Sequence, residues 1–202
     1  MRLGIFGGSF DPVHFGHLLL AEYCREQAKL DEVWFLPAAV PPHKQSRELT
    51  ADRHRVEMLR LAIGGHEQFV LRTDEIDRGG VNYTYETLER VHEDHSDDEL
   101  FFLMGADSLQ DLPRWRKPER VCELAIPVVV ARHGSPPVNF DTLRDLVTPQ
   151  RLHQIRGHLV EMPLIELSST DIRARVQRGH SIRYQTPAAV AKYIETQKLY
   201  AG

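Results

Sequence analysis

Two histidines three residues apart, His14 and His17, lie in the stretch GGSFDPVHFGH, Gly7 to His17. At the start of a helix, residues at that spacing point to one side. Two imidazoles could therefore meet one ligand. Gly7 and Gly8 precede them and let backbone N–H groups come close to an anion. A helix beginning there turns its positive end toward the same space. Gly16, between the histidines, carries no side chain and leaves room for a flat or bulky ligand. The segment has neither the G-x-G-x-x-G dinucleotide fingerprint nor the Lys-Ser/Thr of a P-loop. It reads as an anion site built from amides and imidazoles. Taken alone, it reads equally as a Gly-rich turn with incidental histidines.

Further along, Pro42-His43-Lys44 falls in a long loop, Pro37 to Thr50. Lys44 is a point charge suited to phosphate, although an isolated loop lysine usually means nothing. Asn82-Tyr83-Thr84 opens a helix, where a hydroxyl and free amides suit a carboxylate. Capping by Asn82 or Thr84 would explain the same residues. Gly105-Ala106-Asp107-Ser108 follows an apolar run, and Asp107 can accept from a ribose hydroxyl. One carboxylate is a poor magnesium site without substrate phosphates. Trp115, between Arg114 and Arg116, is either a packing residue or a stacking platform. Arg132 ends another apolar run. Ser168-Ser169-Thr170-Asp171-Ile172-Arg173 opens a helix with hydroxyls and free amides, a cap and equally a phosphate cradle, to which Arg173 adds charge.

The elements that must position these residues alternate. Short apolar runs at Leu3–Phe6, Val33–Leu36, Phe69–Leu71, Leu100–Met104, Ile126–Ala131 and Leu159–Met162 read as strands. Helices are predicted from Leu18 to Leu30, Ala51 to Ile63, Thr84 to His92, Pro118 to Leu124, Asp141 to Ile155, Ser169 to Arg178 and Pro187 to Thr196. Strands alternating with helices predict an α/β fold, a doubly wound and mostly parallel sheet. Strands that are apolar throughout fit a sheet covered on both faces. No internal repeat or dividing linker is visible, so one domain over 1–202 is expected, with a helical C-terminal part from about 165. In such a sheet ligands bind beyond the carboxyl ends of the strands, and each of the residues above follows a strand or starts a helix.

Composition narrows the function classes. The chain has 202 residues, 42% of them hydrophobic, enough for a full core. A net charge of −4 argues against a nucleic-acid coater. The charge is uneven: residues 1–100 sum to −8 and residues 101–202 to +4. The second half could supply a basic wall for a polyanionic ligand, or solvated helix faces could account for it. Cys24 and Cys122 give neither a disulfide framework nor a zinc spacing and are expected as buried free thiols in a reducing cytoplasm. No apolar run approaches the roughly 20 residues of a membrane span, and MRLGIFGGSFD lacks the apolar core of a signal peptide. His92 and His95 repeat the three-residue spacing on an acidic helix end, where only adventitious metal binding is expected.

GGSFDPVHFGH resembles the H-x-G-H signature of the nucleotidyltransferase superfamily, which shares a Rossmann-like fold. Together with Pro42-His43-Lys44, Asn82-Tyr83-Thr84, Gly105–Ser108, Trp115 and Ser168–Arg173, nearly the whole chain resembles the bacterial nicotinate-nucleotide adenylyltransferases. That resemblance implies adenylyl transfer from ATP to nicotinate mononucleotide. It implies His14, His17, Lys44 and Arg173 as catalytic residues. It puts Gly7, Gly8, Ser9, Phe10, His14, Gly16, His17, Gly105, Asp107, Arg132, Ser168, Ser169, Thr170 and Arg173 on ATP. It puts His43, Lys44, Tyr83, Thr84 and Trp115 on the nicotinate nucleotide, with the Pro37–Thr50 loop as cover. Mg2+ would come with the ATP phosphates, with no tightly bound cofactor, no nucleic acid and no membrane; a homo-oligomer is left open. Two positions depart from the pattern: Glu86, where Asp is more common, and Arg116, where an aromatic or apolar residue is usual. Phosphopantetheine adenylyltransferases share the histidine signature but lack the Pro42–Lys44, Asn82–Thr84 and Trp115 features. A nicotinamide-mononucleotide enzyme and a binder that has lost its chemistry are the other readings.

Overall fold

The computed structural model describes residues 1–40, 49–134 and 136–201. Six strands form one sheet: β1 (Arg2–Gly8), β2 (Glu32–Pro37), β3 (Phe69–Leu71), β4 (Glu99–Gly105), β5 (Ile126–Arg132) and β6 (Leu159–Met162). Their order is β3-β2-β1-β4-β5-β6 and every pairing is parallel. The central strands are buried on both faces, as their unbroken apolar runs require: Leu3, Ile5, Val33, Phe35, Phe101, Leu103, Val128 and Val129 are almost wholly inaccessible. Each such side chain contributes about 1.5–3 kcal/mol of transfer free energy. At the edges the pattern relaxes. β6 alternates exposed and buried residues, and β3 is half-buried throughout.

The helices are α1 (Phe15–Gln27), α2 (Asp52–Ile63), α3 (Asp74–Arg78), α4 (Thr84–Asp94), α5 (Ala106–Asp111), α6 (Pro118–Leu124), α7 (Pro149–Arg156), α8 (Ser169–Gln177) and α9 (Ala188–Thr196). One predicted helix is corrected. Instead of running from Asp141 to Ile155, the chain makes a 3₁₀ turn at Phe140–Leu143, and α7 begins only at Pro149. Proline has no N–H to donate inside a helix and pushes the preceding residue into extended backbone. Thr148 is extended (ψ 153°), and its hydroxyl accepts the Arg151 N–H at 3.2 Å as a cap. Helices α3 and α5 were not foreseen, because five or six residues are too few to display a 3.6-residue period.

Strand β1 pairs with β2 on one side and β4 on the other, so the order reverses between β1 and β4. Connections leaving these two strands diverge and open a crevice at their carboxyl ends. Gly7 and Gly8 close β1 and Gly105 closes β4, both at that crevice. Among the described residues no helix is long and apolar enough to cross a membrane.

Candidate active site

His14 is the extended residue just before α1 (φ −145°, ψ 169°), and His17 lies in the first turn of that helix. The His14 backbone N–H donates to His17 Nδ1 at 3.2 Å. In the neutral ring this leaves the His17 proton on Nε2, so that nitrogen is a donor. The two rings stack, centroids 3.7 Å apart and 22° from parallel. Stacked imidazolium ions would repel, and the surroundings keep His14 uncharged. Burial, and secondarily the positive charge of Arg132, lower its pKa to about 4. His14 Nδ1 is buried without a hydrogen-bond partner among the described residues.

Gly16 serves this stack more than it serves ligand space. A Cβ there would come within 3.0 Å of His14 Nδ1, so the gap left by the missing side chain is filled by the imidazole itself. Gly8 is similar: a Cβ would meet the Phe10 ring at 3.0 Å. Phe10 is 1% exposed and packs edge-on beneath His17 at 5.1 Å. Its side chain supports the histidine from below, and only its backbone is left to face a nucleotide.

The wall opposite is α8. A cleft of about 300 Å³ is lined by Ser9, Asp11, His14, Gly16 and His17 from the segment after β1, by Ser168, Ser169, Thr170 and Arg173 from the start of α8, and by Arg132 from the end of β5. Ser168 caps α8, its Oγ accepting the Asp171 N–H at 3.1 Å and donating to Asp171 Oδ2 at 2.6 Å. Ser169 donates to the Pro12 carbonyl at 2.9 Å. Arg173 donates to the Asp11 carbonyl and to Thr170 Oγ1. The Ser169 hydroxyl and the Arg173 guanidinium thus tie α8 to the histidine loop, and Thr170 holds the guanidinium at the junction. Leu20, Met162, Ile165 and Leu167 add an apolar strip that no motif announced. Imidazoles, guanidinium groups and a helix N-terminus around a partly apolar cleft suit a phosphorylated ligand with a flat base.

The remaining expected residues lie elsewhere. Gly105 and the exposed Asp107 sit at the carboxyl end of β4 and the start of α5, outside this cleft. Tyr83 is the residue before α4 and Thr84 its first residue. The expectation that Asn82 or Thr84 caps α4 is corrected. Asn82 is buried, its Nδ2 donates to the carbonyls of Glu75, Gly79 and Gly80, and its Oδ1 accepts from Arg78 at 2.6 Å. It fastens the preceding turn instead, and Glu86 reaches back to the Tyr83 N–H at 3.5 Å. Trp115 is half-buried, edge-on to Phe102 at 5.9 Å. Arg116 lies over the Tyr83 ring at 4.6 Å and Lys117 over Tyr85 at 4.3 Å. His43 and Lys44 fall outside the described residues.

Four residues at or beneath the site were missed: Asp11, which is buried and lines the cleft, the buried Arg55 and Thr186, and the half-buried Tyr200. Arg55 is completely buried and donates to the Ser9 and Thr50 carbonyls. Thr186 donates to the Val13 carbonyl at 2.8 Å. Of these, only Asp11 lay inside a recognised motif; Arg55 and Thr186 bind the distant Ser9 and Val13 carbonyls and Tyr200 the Asp11 carboxylate, which no local spacing reveals. Cys24 and Cys122 are buried free thiols, and burial raises both pKa values, Cys122 to about 12. His95 is engaged by Asp98 at 3.2 Å and by the edge of Trp34. Among the described residues no three His, Cys, Asp or Glu side chains group as a metal site.

Residues 5–175 match the cytidylyltransferase-like family. A Thermomicrobium roseum protein named "Probable nicotinate-nucleotide adenylyltransferase" is 46% identical over 199 residues, covering 98% of this chain and 91% of its own. One of the same name from Exiguobacterium sibiricum is 43% identical over the full length of both. The fold also matches a solved Plasmodium falciparum nicotinic acid mononucleotide adenylyltransferase, complexed with NaAD. The TM-score is 0.77, with 98% of this chain and 97% of the other covered, and the identity is 19%. With curated relatives this similar along nearly its whole length, and with the stacked histidine pair facing a capped helix at the switch point, the chain belongs to the nicotinate-nucleotide adenylyltransferases of the cytidylyltransferase-like family.

Proposed function

We infer that this chain transfers the adenylyl group of ATP to nicotinate mononucleotide, giving nicotinate adenine dinucleotide and pyrophosphate, a step of NAD biosynthesis. The observation that carries the reading is the stacked His14–His17 pair, with His14 held neutral by burial, sharing one cleft with Arg132, Arg173 and the α8 N-terminus. A phosphate oxygen of the acceptor attacks the α-phosphorus, the bond to the bridging oxygen breaks, and pyrophosphate leaves with that electron pair. The nucleophile is already an anion, so no proton must be removed. Alignment and charge stabilisation supply the catalysis.

In this reading His17 donates to the α-phosphate and His14 lies beside it on the phosphates. Hydrogen-bond donors stabilise charge as it develops and need not lose a proton to do so. Arg173 and Arg132 meet the charge of the leaving pyrophosphate, and the amides of Gly7, Gly8, Ser9 and the α8 start add further donors. Gly105 and Asp107 take the ribose side. Tyr83, Thr84 and Trp115 receive the nicotinate nucleotide, with His43 and Lys44 covering it. The cleft's donors fit phosphate oxygens, so Mg2+ would be held mainly by the triphosphate and would neutralise its charge. The buried free thiols support a reducing cytoplasmic setting.

The test is pyrophosphate release from ATP and Mg2+ with nicotinate mononucleotide, nicotinamide mononucleotide and phosphopantetheine offered in parallel. Fast release with the first and much slower release with the second is expected. Release with phosphopantetheine alone would overturn the assignment.

A further inference from the structure

The turn that carries Ser9, Phe10 and Asp11 holds Phe10 in left-handed backbone, φ +44°. For a residue with a Cβ that conformation is unfavourable and persists where the surroundings hold it on both sides. On one side, the buried Arg55 guanidinium donates to the Ser9 carbonyl at 2.9 Å. On the other, the buried Asp11 carboxylate accepts the Tyr200 hydroxyl at 2.6 Å on Oδ1 and the Thr50 N–H at 3.3 Å on Oδ2. The Asp11 carbonyl in turn accepts from Arg173. Asp11 therefore joins Tyr200, 189 residues away in sequence, to the guanidinium on the cleft wall. Tyr200 is itself left-handed, φ +61°. Burial and the neighbouring Asp11 charge raise its pKa, so the phenol stays protonated and remains a donor. Tyr200 does not line the cleft.

We propose that Tyr200 is a positioning residue for adenylyl transfer, acting through Asp11 to hold the Phe10 turn and the Arg173 guanidinium where the phosphates of ATP arrive. This rests on the reading of the cleft as the ATP phosphate site. The geometry gives it a direction. A lost Tyr200 hydroxyl loosens the phosphate wall and leaves the start of α4, where the acceptor is read to bind, unchanged.

The experiment is Tyr200→Phe, which keeps the ring and removes only the donor. Calorimetric titration with inorganic pyrophosphate is expected to give a Kd raised about five- to tenfold, a part of what one hydrogen bond to a charged group contributes, since Tyr200 acts on the cleft through Asp11. The KM for ATP rises with it and the KM for nicotinate mononucleotide does not. In an Asp11→Ala background the same substitution should add nothing, because the two residues act in series. An unchanged pyrophosphate Kd, an equal rise in both KM values, or additive losses in the double variant would overturn the proposal and leave Tyr200 a fold-supporting residue. Should Tyr200→Phe not fold, Asp11→Asn weakens the charged half of the same contact, and an unchanged Kd there would overturn it equally. Pyrophosphate binding is read without an acceptor. Wild-type protein that binds pyrophosphate but makes no dinucleotide would remove the acceptor assignment while leaving this test in force.

Discussion

The two halves of the site are built differently. Around the cleft proposed for the phosphates, side chains are held by one another or by distant segments: His14 by its neighbour His17, Arg55 on the Ser9 carbonyl, Ser169 on the Pro12 carbonyl, Arg173 on the Asp11 carbonyl and Tyr200 on the Asp11 carboxylate. On the side proposed for the acceptor, the contacts are rings and cations near the surface. Arg116 lies over Tyr83 and Lys117 over Tyr85, with Arg116 and Lys117 exposed and Trp115 half-buried. Charge that develops in a transition state is best met by donors already fixed, since fixed donors need no reorganisation at the moment of reaction. A half-exposed aromatic and cationic face shifts at little cost and is suited to selecting a ring. The first half should therefore govern kcat, and the second the KM of the acceptor.

The sharpest way to break that contrast is His17→Ala. It should lower kcat by about 10³-fold with an unchanged far-UV circular dichroism spectrum; kcat within a few-fold of wild type would end the catalytic role of the stack. Arg173→Ala should cost about 10²-fold in kcat and raise the KM for ATP, read in the same steady-state assay. A kcat loss without any change for ATP would point away from phosphate contact.

The third effect concerns stability against pH. Because the folded pKa of His14 is about 4 and its ordinary value is near 6.5, the unfolded chain binds the extra proton first as pH falls. Stability from neutral His14 is complete above about pH 6.5 and declines toward pH 4, by roughly 3 kcal/mol in all. Urea denaturation of wild type and His14→Asn across that range should show the slope diminished in the variant; parallel curves would contradict the buried neutral ring. Smaller still, Asn82→Ala strands the carbonyls that Asn82 satisfies and should cost about 1–3 kcal/mol in the same denaturation experiment. It should also raise the acceptor KM, since the turn it fastens leads into α4. The smallest change is expected at Arg116→Ala: an acceptor KM raised about threefold, with that for ATP unmoved. A larger effect on kcat than on KM would place Arg116 with the catalytic half and collapse the distinction.

Much of this was legible beforehand. The six strands could be read because fully buried parallel strands are continuous apolar runs. The histidine loop and the α8 start could be read as candidates because anion sites at helix N-termini need particular residue types at short spacing, and the fold brings the two to one cleft. The failures have physical reasons. Pro149 reset a helix that hydrophobic periodicity alone would have run on from Asp141. Asn82 looked like a cap because caps and turn fasteners use the same side chain, and only the position of the Glu75–Gly80 carbonyls separates the two roles. Gly16 looked like ligand space until the His14 ring was seen to fill it.

The sequence by itself therefore determined the α/β class and named candidate residues at the strand ends and helix starts whose types suit phosphate. Each of these depends on local spacing and side-chain chemistry. Tertiary structure alone decided that burial keeps His14 neutral, that Phe10 packs beneath His17, and that Arg55, Thr186 and Tyr200 hold the loop between β1 and α1. Those properties depend on burial and on hydrogen bonds between atoms as far apart in sequence as Asp11 and Tyr200, and desolvation and long-range contact leave no periodic trace in the chain.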